Sequence, residues 1–123
     1  MVSNTEQNTI ETDFLRSWEI MEVFFAEDYW LKPMIPLLHT LRARGYDRQL
    51  RAGQSMSRFI VSRSREHGLR ETQPSLIFSL TRTGGMFVDL QGGGAAVRIF
   101  VDHVGITPEV ENLLIPLLAH PID

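Results

Sequence analysis

The sequence predicts a two-layer α+β domain in which helices cover one face of an antiparallel sheet. Apolar residues recur at helical spacing before residue 45 and after residue 107, whereas they alternate with polar residues through much of the intervening segment. A chain of 123 residues that is 43% hydrophobic and 22% charged is typical of one globular domain. We therefore expect residues 1–11 to form a flexible tail and residues 12–123 to fold as a single domain.

Three helices are predicted from their start and stop signals. Thr12 is a good N-cap for the first helix, and Pro36 is placed to begin the second because proline is tolerated in a first turn. Gly45 is suited to the position that follows the end of the second helix. Thr107 and Pro108 predict the start of a C-terminal helix, as N-cap and first helical residue.

The middle of the chain predicts an antiparallel meander of about four strands. Residues 48–63 alternate like one long half-exposed strand, or like two strands joined at Gly53. We expect the next turn to be the three-residue loop 83–85, and the last turn to be a four-residue loop that pairs Leu90 with Ala95. These loops place six apolar residues on one face of the sheet: Leu76, Phe78, Leu80, Met86, Val88 and Leu90.

The opposite face of this meander supplies the main functional hypothesis. Ile77, Phe87, Arg98 and Phe100 share that face in the predicted register. Contiguous apolar side chains usually meet another surface, so either a helix of the same chain or another chain is expected to cover them. Aromatic residues beside an arginine are also typical of interface centres. The predicted function is a small non-enzymatic interaction or regulatory module that binds a protein partner or forms a homodimer.

An arginine-rich stretch supports a second hypothesis, nucleic-acid binding. Residues 42–70 contain eight arginines and two acids, whereas residues 1–30 contain seven acids and one arginine. A nucleic-acid site needs its arginines on one surface, and strand alternation separates them unless the backbone bulges at Gly53. The opposed charges of the two segments are equally compatible with contacts inside the fold. The candidate residues are Arg48, Arg51, Arg58, Arg63 and Arg65.

Signals for catalysis or metal binding are weak. The chain has no cysteine, its single lysine is far from any glycine-rich loop, and its four histidines lie on four different predicted elements. We therefore expect no cofactor, no metal and no catalytic set. A third hypothesis is a small-molecule site near the end of the last strand, where Arg98, Asp102 and His103 would lie at its mouth.

The N-terminal residues and the hydropathy of the chain bear on its location. Residues 1–10 lack the basic start and apolar run of a signal peptide. No apolar stretch reaches the length of a membrane-spanning helix. The simplest expectation is a cytoplasmic protein that does not contact membranes.

Overall fold

A computed structural model describes residues 3–66 and 71–123 and has the predicted α+β architecture. Two helices precede the sheet, one follows it, and all its strands are antiparallel. The sheet contains five strands in sequence order, one more than the sequence indicated. The elements are α1 (Asn4–Ala26), α2 (Ile35–Ala43), β1 (Arg51–Ser55), β2 (Arg58–Ser62), β3 (Ser75–Leu80), β4 (Met86–Gly92), β5 (Ala95–Val101) and α3 (Pro108–Ala119).

Helix α1 begins nine residues earlier than the sequence predicted. Ser3, not Thr12, is the N-cap, and its Oγ accepts a hydrogen bond of 3.1 Å from the amide of Glu6. Residues 4–11, expected to be part of a flexible tail, are therefore helical, while residues 1 and 2 lie outside the described residues. The first turns are mostly exposed and lack an apolar stripe, so the capping signal at Ser3 defines this helix end better than periodicity does.

The other helix ends follow their predicted signals. Helix α2 starts one residue before Pro36, after a short 3-10 turn over Lys32–Met34. Gly45 follows the helix with φ +85°, a conformation that glycine adopts at little cost. Thr107 caps α3 by accepting a hydrogen bond of 3.2 Å from the amide of Val110.

The arginine-rich segment forms two strands, but they are not joined at Gly53. Gly53 is paired regularly with Ile60, so neither a turn nor a bulge occurs there. The turn lies instead at residues 56 and 57, and Met56 adopts φ +59°. Sequence reasoning missed this turn because a positive φ is rare outside glycine, asparagine and aspartate.

The remaining hairpins keep the predicted faces in a different register. Gly92 pairs with Ala95, which leaves a two-residue turn of Gly93 and Gly94 in place of the predicted four residues. In the preceding hairpin, the amide of Thr81 donates to the Gly85 carbonyl at 2.9 Å, so the three-residue loop begins at Arg82 rather than at residue 83. Each error moves the pairing by an even number of residues, which leaves every side chain on its predicted face.

One apolar core joins the helices to a single face of the sheet. Buried side chains of all three helices pack in this cluster. The main sheet residues in it are Phe59, Val61, Leu76, Phe78, Met86, Val88, Leu90 and Val101.

Helix α1 also closes the outer edge of β1. The Ser17 hydroxyl accepts a hydrogen bond of 2.9 Å from the amide of Ala52. The buried indole Nε1 of Trp18 donates to the Leu50 carbonyl at 2.8 Å. The Ala52 amide and the Leu50 carbonyl therefore have partners within the chain, as buried backbone groups require.

Candidate protein interface

The second face of the sheet is partly covered by the chain itself. Across its middle, Gly53, Ile60, Ile77, Asp89 and Arg98 lie side by side on the five strands. Ile77 is only 2% exposed, although it lies outside the core cluster that the helices form. Of the predicted interface residues, Ile77 is therefore inaccessible to a partner, and the accessible part of this face lies towards β5.

Asp89 and Arg98 form a bidentate ion pair across β4 and β5. Arg98 Nε and Nη2 donate to the two carboxylate oxygens at 2.6 and 3.1 Å. The Asp89 side chain is 8% exposed, whereas the Arg98 side chain is 61% exposed. The hydrogen bond to Asp89, and then the charge of Asp89, raise the pKa of Arg98. The predicted pairing of Leu90 with Ala95 would put Arg98 opposite Phe87, whereas in the structure Arg98 lies directly opposite Asp89.

Phe87 and Phe100 form an aromatic pair next to this ion pair. They face each other across β4 and β5, with ring centroids 5.5 Å apart in an edge-to-face arrangement. The Arg98 guanidinium lies 4.7 Å from the centroid of Phe87, a cation–π distance. Phe87 is half-buried, while Phe100 is 54% exposed. Phe100 and Arg98 are thus the accessible members of the predicted interface set.

The edge of β5 is open, in contrast to the edge of β1. Within residues 3–66 and 71–123, only β4 packs extensively along β5. Val97, on the other face of β5, is 45% exposed even though its position in the alternation is that of a core residue. Strand β5 carries Arg98 as its only charged residue and contains no proline. It therefore has few of the features by which natural proteins block edge-to-edge pairing.

A second exposed apolar surface lies at one end of the sheet, where three connections converge. The α1–α2 connection supplies Tyr29 and Trp30, which are 77% and 79% exposed, and the β1–β2 turn supplies Met56, which is 85% exposed. They line an open groove of about 1220 Å³, together with residues of the β3–β4 loop. Sequence reasoning missed this groove. Adjacent aromatic residues in a charged, turn-forming segment (residues 27–33, EDYWLKP) were the available signal.

The arginines proposed for nucleic-acid binding do not form one free cluster. The β1–β2 hairpin places Arg51 and Arg58 on the same face, but Arg51 pairs with Ser62 at one end of it and Arg58 with Ser55 at the other. The Arg51 guanidinium also donates to the carbonyls of Ser64 and Arg65, at 3.0 and 2.5 Å.

The remaining arginines of the stretch are scattered as well. Arg48 lies in a 3-10 turn before β1, and burial lowers the pKa of Arg63. Arg65 lies in a bend after β2, while Arg70 lies outside the described residues. Arg42 donates to Glu22 at 2.9 Å and to Asp47 at 3.0 Å. An arginine of the basic segment is therefore paired with an acid of the acidic N-terminal segment inside the fold.

The residues proposed for a small-molecule site lie near the end of β5. His103 Nδ1 is 2.7 Å from Asp102 Oδ1, and both side chains are exposed. Both residues follow the last residue of β5, so strand alternation does not direct their side chains to opposite faces. Arg98, Asp102 and His103 do not line the groove near Trp30.

Metal binding, membrane spanning and similarity to known proteins were each considered. The described residues contain no group of three or more histidine, aspartate or glutamate side chains arranged to hold a metal ion. Among the same residues, no helix is long and apolar enough to span a membrane. Comparison of the chain with protein-family models, curated proteins and solved structures found no match.

Proposed function

We propose that this protein is a self-associating interaction module whose contact surface is the open edge of β5 together with Phe100 and Arg98. The observation that carries the proposal is the difference between the two sheet edges. Helix α1 packs against β1, whereas no helix or strand of the described residues packs along the outer edge of the largely apolar strand β5. Adding a strand to such an edge is a common mode of protein recognition, with main-chain hydrogen bonds giving affinity.

The tight turn before β5 fixes which main-chain groups are available. In a two-residue hairpin the closing pair, here Gly92 and Ala95, exchanges hydrogen bonds, and such pairs alternate with non-bonded pairs along the ladder. The amides and carbonyls of Ala96, Arg98 and Phe100 therefore point away from β4. Each of these three residues has one amide and one carbonyl, so the edge provides up to six main-chain hydrogen-bonding groups for a second strand.

A second copy of β5 is complementary to this edge in one two-fold register. Centring the pair on Arg98 places two arginines directly opposite each other, which is destabilising. Centring it on Val97 places Phe100 opposite the glycine turn of the partner subunit and leaves its ring without a cross-strand neighbour. Centring it on Ile99 avoids both problems, because each Phe100 then lies opposite the partner subunit's Arg98.

The register centred on Ile99 also pairs apolar side chains on the other sheet face. Ile99 lies opposite Ile99 of the partner subunit, and Val97 lies opposite the partner subunit's Val101. This covers the 45% exposed Val97, while the cation–π contact of Phe100 with the partner subunit's Arg98 covers the 54% exposed Phe100. Charge repulsion is limited because each Arg98 is already paired with its own Asp89.

Disulfide trapping tests both the association and its register, because the chain has no native cysteine. Ile99→Cys places two cysteines in a non-bonded cross-strand pair, whose close Cβ atoms favour a disulfide. We expect oxidation to give covalent dimer from Ile99→Cys alone and from a mixture of Val97→Cys with Val101→Cys. Val97→Cys alone is the matched control and should remain monomeric on a non-reducing gel.

Sedimentation of the unmodified protein provides the independent measurement. A dimer at micromolar concentration that weakens on Phe100→Ser, but not on Ile115→Ser at an exposed site of α3, is the expected result. A monomer that is unaffected by Phe100→Ser would refute self-association. A covalent dimer formed by Val97→Cys but not by Ile99→Cys would support self-association through β5 and refute the register centred on Ile99.

Nucleic-acid binding is the alternative function to be tested beside self-association. Its support is the arginine count, and the scattered positions of Arg48, Arg51 and Arg63 weaken that support. Binding to phosphates would be strongest at low salt, because each neutralised phosphate releases a counterion. Retention of single- or double-stranded oligonucleotides in low-salt buffer, lost on Arg58→Ala, would favour this alternative over self-association.

A further inference from the structure

We propose that the groove lined by Tyr29, Trp30 and Met56 binds a short peptide segment of a partner protein, one with an apolar anchor flanked by acidic residues. No residue of β5 lines this groove, and the proposal does not depend on self-association. Tyr29, Trp30 and Met56 are the three most exposed large apolar side chains of the described residues. Clustering of such side chains at one place is characteristic of interaction sites, whereas isolated ones are ordinary.

The groove has an apolar floor that continues into the core. Phe24, Leu31, Leu80 and Val104 line it, and each is a half-buried side chain packed against the core cluster. An apolar anchor placed on this floor would extend the core rather than rest on a polar surface. The groove is open and, at about 1220 Å³, larger than most small-molecule pockets, which favours a length of peptide over a compact ligand.

Hydrogen bonds to Asp28 order the main chain that carries Tyr29 and Trp30. The Asp28 carboxylate accepts a hydrogen bond of 2.8 Å from the Trp30 amide, and the Asp28 carbonyl accepts from the amides of Leu31 and Lys32. The rings of Tyr29 and Trp30 pack edge to face with centroids 5.7 Å apart. An ordered main chain and a ring–ring contact lower the entropy that binding must overcome, so these two residues are suited to be anchors of affinity.

Met56 has an unfavourable backbone conformation at this site. It is the only residue other than glycine with positive φ among the described residues, and it lies at the tip of the β1–β2 turn. Glycine or asparagine would fill this position without strain, and neither would extend an apolar side chain into the groove. Strained residues gather at ligand-binding sites, and the flexible side chain of methionine adapts to varied apolar partners.

The charges around the groove select for an acidic segment. Lys32 and Arg82 line it, and neither makes an ion pair within the described residues. Asp28 is the single acidic residue among the described residues that line the groove, and its carboxylate already accepts a hydrogen bond from the Trp30 amide. Acidic residues on either side of an apolar anchor would therefore meet two unpaired cations, which gives charge complementarity.

A displayed library of random dodecapeptides, selected on the full-length protein, tests the proposal without knowledge of the partner. We expect enrichment of peptides with tryptophan, phenylalanine or leucine beside aspartate or glutamate. Binding of a synthetic peptide with the enriched sequence, and with phenylalanine in place of any tryptophan, can then be followed through the emission of Trp30, since Trp18 is fully buried. Met56→Gly, which should not harm the fold, is expected to weaken this binding about tenfold.

Matched variants separate the groove from the rest of the surface. Lys32→Glu and Arg82→Glu should weaken binding of the acidic peptide, and more so at low salt. Ile115→Ser, at an exposed apolar position on α3 outside the groove, should leave the affinity unchanged. These variants leave β5 intact, so a loss of peptide binding with unchanged sedimentation distinguishes this site from the self-association surface.

Three results would overturn the peptide site. The library yields no enrichment over the Met56→Gly protein, the enriched peptides are basic, or their affinity does not change in Met56→Gly. Vesicles of phosphatidylcholine and phosphatidylserine serve as the other probe, because exposed aromatic residues beside cations also suit a membrane surface. A blue shift of Trp30 emission on vesicles, without peptide enrichment, would assign the groove to lipid instead.

Discussion

Arg98 closes over Asp89 from the neighbouring strand, so that an exposed guanidinium neutralises a carboxylate that is almost fully buried. Two hydrogen bonds of 2.6 and 3.1 Å join the pair, and the Asp89 side chain is only 8% exposed. The two residues therefore depend on each other unequally. Arg98 can return to water without its partner, whereas Asp89 would remain in a poorly hydrated site with its charge unmatched.

The greater dependence of Asp89 on Arg98 predicts the stability of a single and a double variant. Arg98→Met should lower the free energy of unfolding, because it leaves the buried Asp89 carboxylate without a cation. Adding Asp89→Asn to Arg98→Met should recover part of the loss, since the amide carries no charge to desolvate. Urea unfolding of the single and double variants measures both effects. A double variant less stable than Arg98→Met would contradict this explanation.

The turn at Met56 should become more stable when its strain is removed. Positive φ at the first of two turn residues favours glycine, so Met56→Gly should raise the free energy of unfolding by about 1 kcal/mol. Ser57→Gly, at the neighbouring turn residue where φ is not positive, should instead be neutral or destabilising. If both variants shift the urea midpoint in the same direction, backbone strain at Met56 is not the cause.

The Ser17 hydroxyl is one of two α1 side-chain groups that bond to main-chain groups beside β1. Ser17→Ala removes the acceptor of the buried Ala52 amide, and we expect a loss of about 1–3 kcal/mol in the free energy of unfolding. Thr12→Ala, which removes an exposed hydroxyl bonded to the Asn8 carbonyl, is the control and should change stability much less. Hydrogen exchange at the Ala52 amide gives a local measurement, and unchanged protection in Ser17→Ala would argue against this role.

Gly85 and Gly53 should respond in opposite ways to the same substitution. A Cβ atom at Gly85 would lie 2.5 Å from the Val101 carbonyl oxygen and 3.0 Å from Phe100 Cζ, so Gly85→Ala must displace β5 or the aromatic ring. We expect a cost of about 1–3 kcal/mol. A Cβ atom at Gly53 meets nothing within 4 Å, so Gly53→Ala should be neutral or stabilising. Thermal unfolding of the two variants provides the comparison.

The alternation of apolar residues determined which side chains share a sheet face. Leu76, Phe78, Val88 and Leu90 were assigned to the core face correctly, although both predicted hairpin registers were wrong. The faces survived because burial depends on the parity of the pairing, and both errors were even. The helix start at the cap residue Thr107 was likewise predictable, since a cap acts on main-chain groups only a few residues away.

Tertiary structure alone decided which surfaces remained open. Helix α1 packs against β1 through contacts such as Ser17 with Ala52, which are distant in sequence, and no described element does the same at the outer edge of β5. Trp30, Met56 and Arg82 meet around one groove for the same reason, because three separate connections converge at one end of the sheet. Local patterns specify the period and ends of each element, whereas the relative placement of elements arises from burial shared by the whole chain.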